Sequence, residues 1–254
     1  MTSAIAPSSS ASPSTVGSAL PWAPLLSRTV LFAAAQLAIA AGLAVSGHSS
    51  PWAASAGWWP VSAFVANVVS IAWIAKIARA EGLSPRKLFH LDGSHLGRDL
   101  LVFVGVLLLA APIAQLPNMG LATVLWGSPE AALRLFVQPI PRWAALIGLV
   151  LFPLTIAFAE LPTYFAIARG RMQRAGWKGP ALVVVPALFL ALQHVTLPLI
   201  FDARFLTWRL FMFVPFALFL GAVVHWRPRM LPWLMVGHGL IDVGAGYLVF
   251  AASA

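Results

Sequence analysis

"LLVFVGVLLLAAPIAQLP", residues 100–117, runs without a charged side chain. A helix crosses the hydrocarbon core of a bilayer in roughly 20 mainly apolar residues, so this stretch reads as a membrane span. Six further stretches read the same way: 29–47, 58–78, 143–168, 180–201, 210–226 and 230–252. The apolar runs are continuous, whereas strands of a membrane barrel would alternate. The expectation is an all-α polytopic bundle of about seven spans. It occupies residues 28–254 as one domain, with the motif-bearing half at about 143–250.

Composition agrees. Of the 254 residues, 60% are apolar and 9% charged, against about half and about a quarter in soluble domains. The tract "MTSAIAPSSSASPSTVGSALPWAP" is rich in Ser, Ala and Pro and carries no charge. Residues 1–27 are therefore expected to be disordered. The tract lacks the basic n-region of a signal peptide. There is no cysteine, which excludes disulfides, thiolate nucleophiles and Cys-based metal sites.

A net charge of +9 would suit nucleic acid if the basic residues were gathered in one patch. Instead they fall on alternate ends of the spans. Arg28, Lys76, Arg79, Arg86, Lys87, Arg98, Arg169, Arg171, Arg174, Lys178, Arg227 and Arg229 share one side; only Arg134, Arg142, Arg204 and Arg209 are on the other. The positive-inside rule then places the N-terminus in the cytoplasm and the C-terminus outside. The partner is membrane lipid, with the excess charge anchoring to anionic headgroups, and not nucleic acid. Loop 80–99 is cytoplasmic in this reading. Loop 118–142 is external and holds a short interfacial helix, with Ser128 as cap, Pro129 at the first helical position and Glu130 in the first turn.

Few ionisable residues lie inside the spans. "FAELPTYFAIARGRMQ", residues 158–173, carries Glu160; span five carries His194; span seven carries His238 and Asp242 in "HGLID". His238 and Asp242 are four apart and share a helix face. At ~1.5 Å per residue, Glu160 and His238 lie about 12 Å deep, Asp242 about 18 Å and His194 about 21 Å. A bend near Pro153 or Pro162, or at Pro186, would bring all four together. A buried histidine is commonly an interhelical hydrogen-bond partner, and Asp242 has the simpler role of fixing the His238 tautomer. A lone membrane glutamate has few structural uses beyond pairing with an arginine such as Arg169 or Arg209. Intramembrane hydrolysis suits the set. HExxH is absent, Asp242 has no second membrane aspartate, and Ser62 and Ser70 have no Gly-rich serine motif around them. What remains is water activation by carboxylate and imidazole.

These residues resemble the motifs of the CPBP family, the CAAX protease and bacteriocin-processing (Abi) membrane proteins. Its motifs run EExxxR, FxxxH and HxxxN or HxxxD; here they are matched by "AELPTYFAIAR", "FLALQH" and "HGLID". With Glu160 in the first glutamate position, Leu161 replaces the second glutamate and Phe165 the arginine, for which Arg169 or Arg171 stands in. In the other register Ala159 and Tyr164 replace the first glutamate and the arginine. Leu190 takes the Phe position of the second motif, beside Phe189. The resemblance implies an intramembrane endopeptidase of the bacterial inner membrane acting on a membrane-associated protein or peptide. Glu160 and His194 would activate water, while His238 and Asp242 would orient or stabilise the oxyanion. It also implies either Zn²⁺ held by Glu160, His194 and His238 or metal-free catalysis by the same residues.

Three other readings are set beside it. A non-catalytic scaffold or immunity protein would explain the altered first motif. A haem or quinone protein would use His194 and His238 as axial ligands. A transporter would relay protons through Glu160 and Asp242, but the chain lacks the repeat symmetry common in transporters.

Overall fold

The computed structural model describes residues 21–82, 84, 89–91 and 93–254. Within them every regular element is helical. Six helices are long and apolar enough to cross a membrane: α1 (Trp22–Val45), α2 (Pro51–Ala80), α3 (Gly93–Trp126), α4 (Arg142–Arg174), α6 (Ala203–Trp226) and α7 (Pro228–Ala252). The chain is an integral membrane protein. Outward faces of these helices carry large apolar side chains, among them Leu101, Leu108, Leu116 and Val124 of α3, each at least 70% exposed. In water such a surface would be an aggregation hazard.

The span expected at 180–201 is shorter than the other six. Helix α5 (Ala181–Thr196) includes a closing 3₁₀ turn, His194–Thr196, and residues 197–202 are irregular up to the Asp202 cap of α6. Pro198 helps stop it, because the residue before a proline is disfavoured in helical geometry. The first helix also departs from expectation, beginning at Trp22 instead of near residue 29. Pro21 and Pro24 flank its first turn, where a missing N–H costs nothing, and Pro24 and Leu25 are buried. Residues 22–27 are thus helical, while the tract 1–20 and Arg86 and Lys87 lie outside the described residues. The short helix expected after Ser128 is present as Pro129–Leu133, with the Ser128 hydroxyl accepting from the Ala131 N–H.

Helix α4 is the hub. Half of its apolar window is enclosed, against 17% for α3. It packs on α1, α2, α5 and α7, while α3 leans on α6 at the periphery. It is also irregular. Wider π-helical turns occupy Ile147–Leu151 and Pro162–Ala168, where Pro153 and Pro162 lack N–H groups for the regular ladder. Ion pairs tie one end of the bundle together. Glu81, ending α2, meets Arg171 and Arg174 of α4, and Asp99 of α3 meets Arg227, between α6 and α7, and Arg229 in the first turn of α7. Trp22, opening α1, packs edge-on against Trp177 between α4 and α5.

Candidate functional site

Glu160 sits in the middle of this hub, 2% exposed. One carboxylate oxygen, Oε1, lies 3.0 Å from Nε2 of His238, which is also 3.4 Å from Oδ2 of Asp242 one turn further along α7. Facing two carboxylates, Nε2 is placed to donate to them. The other oxygen of Glu160, Oε2, lies 3.5 Å from Nη2 of Arg28 on α1. Cation, carboxylate, imidazole and carboxylate therefore follow one another across three helices. Alternation of this kind offsets the desolvation that makes a buried charge so costly.

The first helix supplies what the sequence reading missed. Arg28 is completely buried, not at the membrane surface. Its Nε donates to Oε1 of Gln193 at 2.7 Å, Nη2 to Oδ1 of Asn67 at 3.0 Å and Nη1 to Oγ of Ser70 at 3.3 Å. Tyr164 donates its hydroxyl to the same Gln193 oxygen at 3.2 Å, and Asn67 donates to Thr155 at 3.1 Å. Polar residues from α1, α2, α4 and α5 thus converge on one guanidinium. The available signal was the set of uncharged polar residues Asn67, Ser70 and Gln193 inside spans, where such side chains serve as interhelical hydrogen-bond partners. Arg169 and Arg171, expected to replace the arginine of the first motif, lie elsewhere. Arg169 faces His225 and Arg171 is bound to Glu81.

Small residues bring α7 close enough for this contact. A methyl group on Gly246 would meet the carbonyl oxygen of Gly148 at 2.3 Å, and one on Gly239 would meet that of Pro153 at 2.9 Å. Both glycines lie on the face of α7 that packs on α4. Backbone contact along this seam lets the His238 ring span the gap to Glu160.

His194 is adjacent but not joined. It follows Gln193, its Nδ1 lies 2.8 Å from the Leu190 carbonyl, and its ring stacks on Phe213 at 3.6 Å between centroids. Among the described residues it shares no direct hydrogen bond with Glu160, His238 or Asp242. Arg209 holds this turn by donating to the carbonyls of His194 and Leu197; it is not a partner of Glu160. The structure therefore brings together three of the four expected site residues, with His194 at their edge.

As arranged, these donors do not fit a zinc ion, which takes ligands at about 2.0–2.2 Å with one position open. The His238 Nε2 is committed to carboxylates, the His194 Nδ1 faces a carbonyl, and the Arg28 guanidinium stands where it would repel a dication. No group of three His, Asp or Glu among the described residues is placed to hold a metal. A narrow cleft between α3, α6 and α7 reaches His238 past Val106, Phe216, Leu220 and Leu234. Its volume is about 10 Å³, room for about one water. The Nδ1 of His238 is buried with no protein partner. No family model matches the chain, and no curated protein or solved structure matches it.

Proposed function

We propose that the chain is an intramembrane endopeptidase that hydrolyses a peptide bond in a membrane-associated protein or peptide, without a metal. The observation that carries this reading is the Glu160–His238–Asp242 contact in the enclosed hub of the bundle, next to a cleft with room for one water. Glu160 accepts the proton of the attacking water, assisted by His194, and returns it to the leaving amine as the peptide C–N bond breaks. In its doubly protonated form His238, held through Nε2 by Glu160 and Asp242, donates its Nδ1–H toward the developing oxyanion. Arg28, 3.5 Å from the other carboxylate oxygen, fixes the Glu160 rotamer. In this reading the chain crosses a bacterial inner membrane seven times, α5 being the shortest crossing, with its N-terminus in the cytoplasm; the grouped basic ends support this topology.

One observation favours a second reading, a non-catalytic membrane scaffold or immunity protein. Arg28 occupies the remaining oxygen of Glu160, and the cleft as it stands does not admit a peptide. In the enzyme reading, α3 must shift away from α7 to admit substrate.

Comparing protein termini in membranes of strains with and without the gene identifies any cleaved partner. The enzyme reading expects at least one terminus that vanishes on deletion and stays absent with His238→Ala. A scaffold reading expects partner abundance or association to change on deletion, with no lost terminus.

A further inference from the structure

At the basic end of the bundle, acids and bases are unevenly matched. Glu81 serves both Arg171, at 2.8 Å, and Arg174, at 2.5 Å, while Asp99 serves both Arg227, at 3.1 Å, and Arg229, at 3.0 Å. Each carboxylate is thus shared by two guanidinium groups. Arg169 of α4 meets no carboxylate among the described residues. Its Nη2 lies 3.2 Å from Nδ1 of His225 on α6, and its Nε is buried without a partner. Two basic side chains from different helices therefore face each other, with a guanidinium donor left over.

We propose that Arg169 and His225 form a binding site for a phosphate-type anion, supplied by an anionic phospholipid headgroup or by free phosphate. A guanidinium presents its donors as a planar fork that matches two phosphate oxygens. Either neutral tautomer of His225 carries one ring N–H, so a change of rotamer or tautomer converts it from acceptor for Arg169 into a second donor to the anion. The level in the membrane fits a headgroup. Trp226, 69% exposed, follows His225, and Trp22, 42% exposed, opens α1 at the same end; tryptophan is enriched at membrane–water interfaces. The site is independent of the proposed hydrolysis, since neither residue touches Glu160, His238 or Asp242.

The test uses the purified full-length chain in nanodiscs of phosphatidylcholine alone, of phosphatidylcholine with phosphatidylglycerol, and of phosphatidylcholine with added inorganic phosphate. The readouts are the melting temperature and the number of phospholipids retained in native mass spectrometry. We expect phosphatidylglycerol to raise the melting temperature of the wild type and to leave at least one retained molecule. Both effects should be lost in Arg169→Gln and His225→Gln, partly kept in Arg169→Lys, and fully kept in Arg134→Gln, an exposed position just after the short helix Pro129–Leu133. Inorganic phosphate reproducing the gain, with the same variant pattern, would assign the ligand to the soluble anion. If Arg169→Gln does not fold, His225→Gln decides, because His225 is exposed. Wild-type-like responses to both probes in His225→Gln, or an equal loss in Arg134→Gln, would overturn the proposal.

Discussion

At the residue scale, Arg28 and Glu160 define the buried charge balance. Removing one partner of a buried pair leaves an uncompensated charge and costs roughly 3–5 kcal/mol. Arg28→Met should therefore lower stability by about that much, whereas Arg28→Met with Glu160→Met should recover much of the loss. Unfolding of the single and double variants in detergent, read as a double-mutant cycle, measures the coupling. Additive effects would show that the two groups act separately. Tyr164→Phe deletes one hydrogen bond to Gln193 and should cost about 1 kcal/mol. Sequence alone exposed one half of this pair. Glu160 stood out because it is an acid inside a span, but Arg28 lay just before the first apolar run and was assigned to the surface. Only the earlier start of α1, set by prolines at its first turn, carries the guanidinium inward.

The seam between α4 and α7 is the corresponding feature at the element scale. Gly246→Val forces a side chain into the Gly148 carbonyl, so the helices must separate and His238 must move away from Glu160. The expected result is a melting temperature lower by several degrees, with loss of any activity. Gly244→Ala, on the same helix but with open space where its methyl would go, should leave stability the same or raise it slightly, because alanine is the better helix former. Equal effects of the two substitutions would show that the seam is not what holds α7 in place. The pairing of His238 with Asp242 was legible from their i,i+4 spacing. The position of His194 was not, because depth counted along an ideal helix ignores the 3₁₀ turn that ends α5 and the stacking on Phe213 that fixes the ring.

For the whole molecule, hydropathy revealed six of the seven apolar helices as membrane-length elements and overestimated one, α5. Two of the arginines counted toward the topology, Arg28 and Arg209, are buried. The basic ends of α2, α4 and α6 gather at one end of the bundle, and the proposed orientation rests on these. Reporter fusions at Gly176 and at Gly127, both in turns with positive φ, should read cytoplasmic and external; the reverse would overturn the topology. The central claim is that Glu160 performs chemistry and does more than balance Arg28. Glu160→Gln preserves shape and can still accept a hydrogen bond from either neighbour, but removes the proton acceptor. The most direct measurement is the cleavage rate of the partner protein in a deletion strain complemented with wild type or with Glu160→Gln at equal membrane levels. The account predicts a fall of roughly 10² or more with the substitution; wild-type cleavage by Glu160→Gln, in a strain where deletion abolishes it, would contradict it.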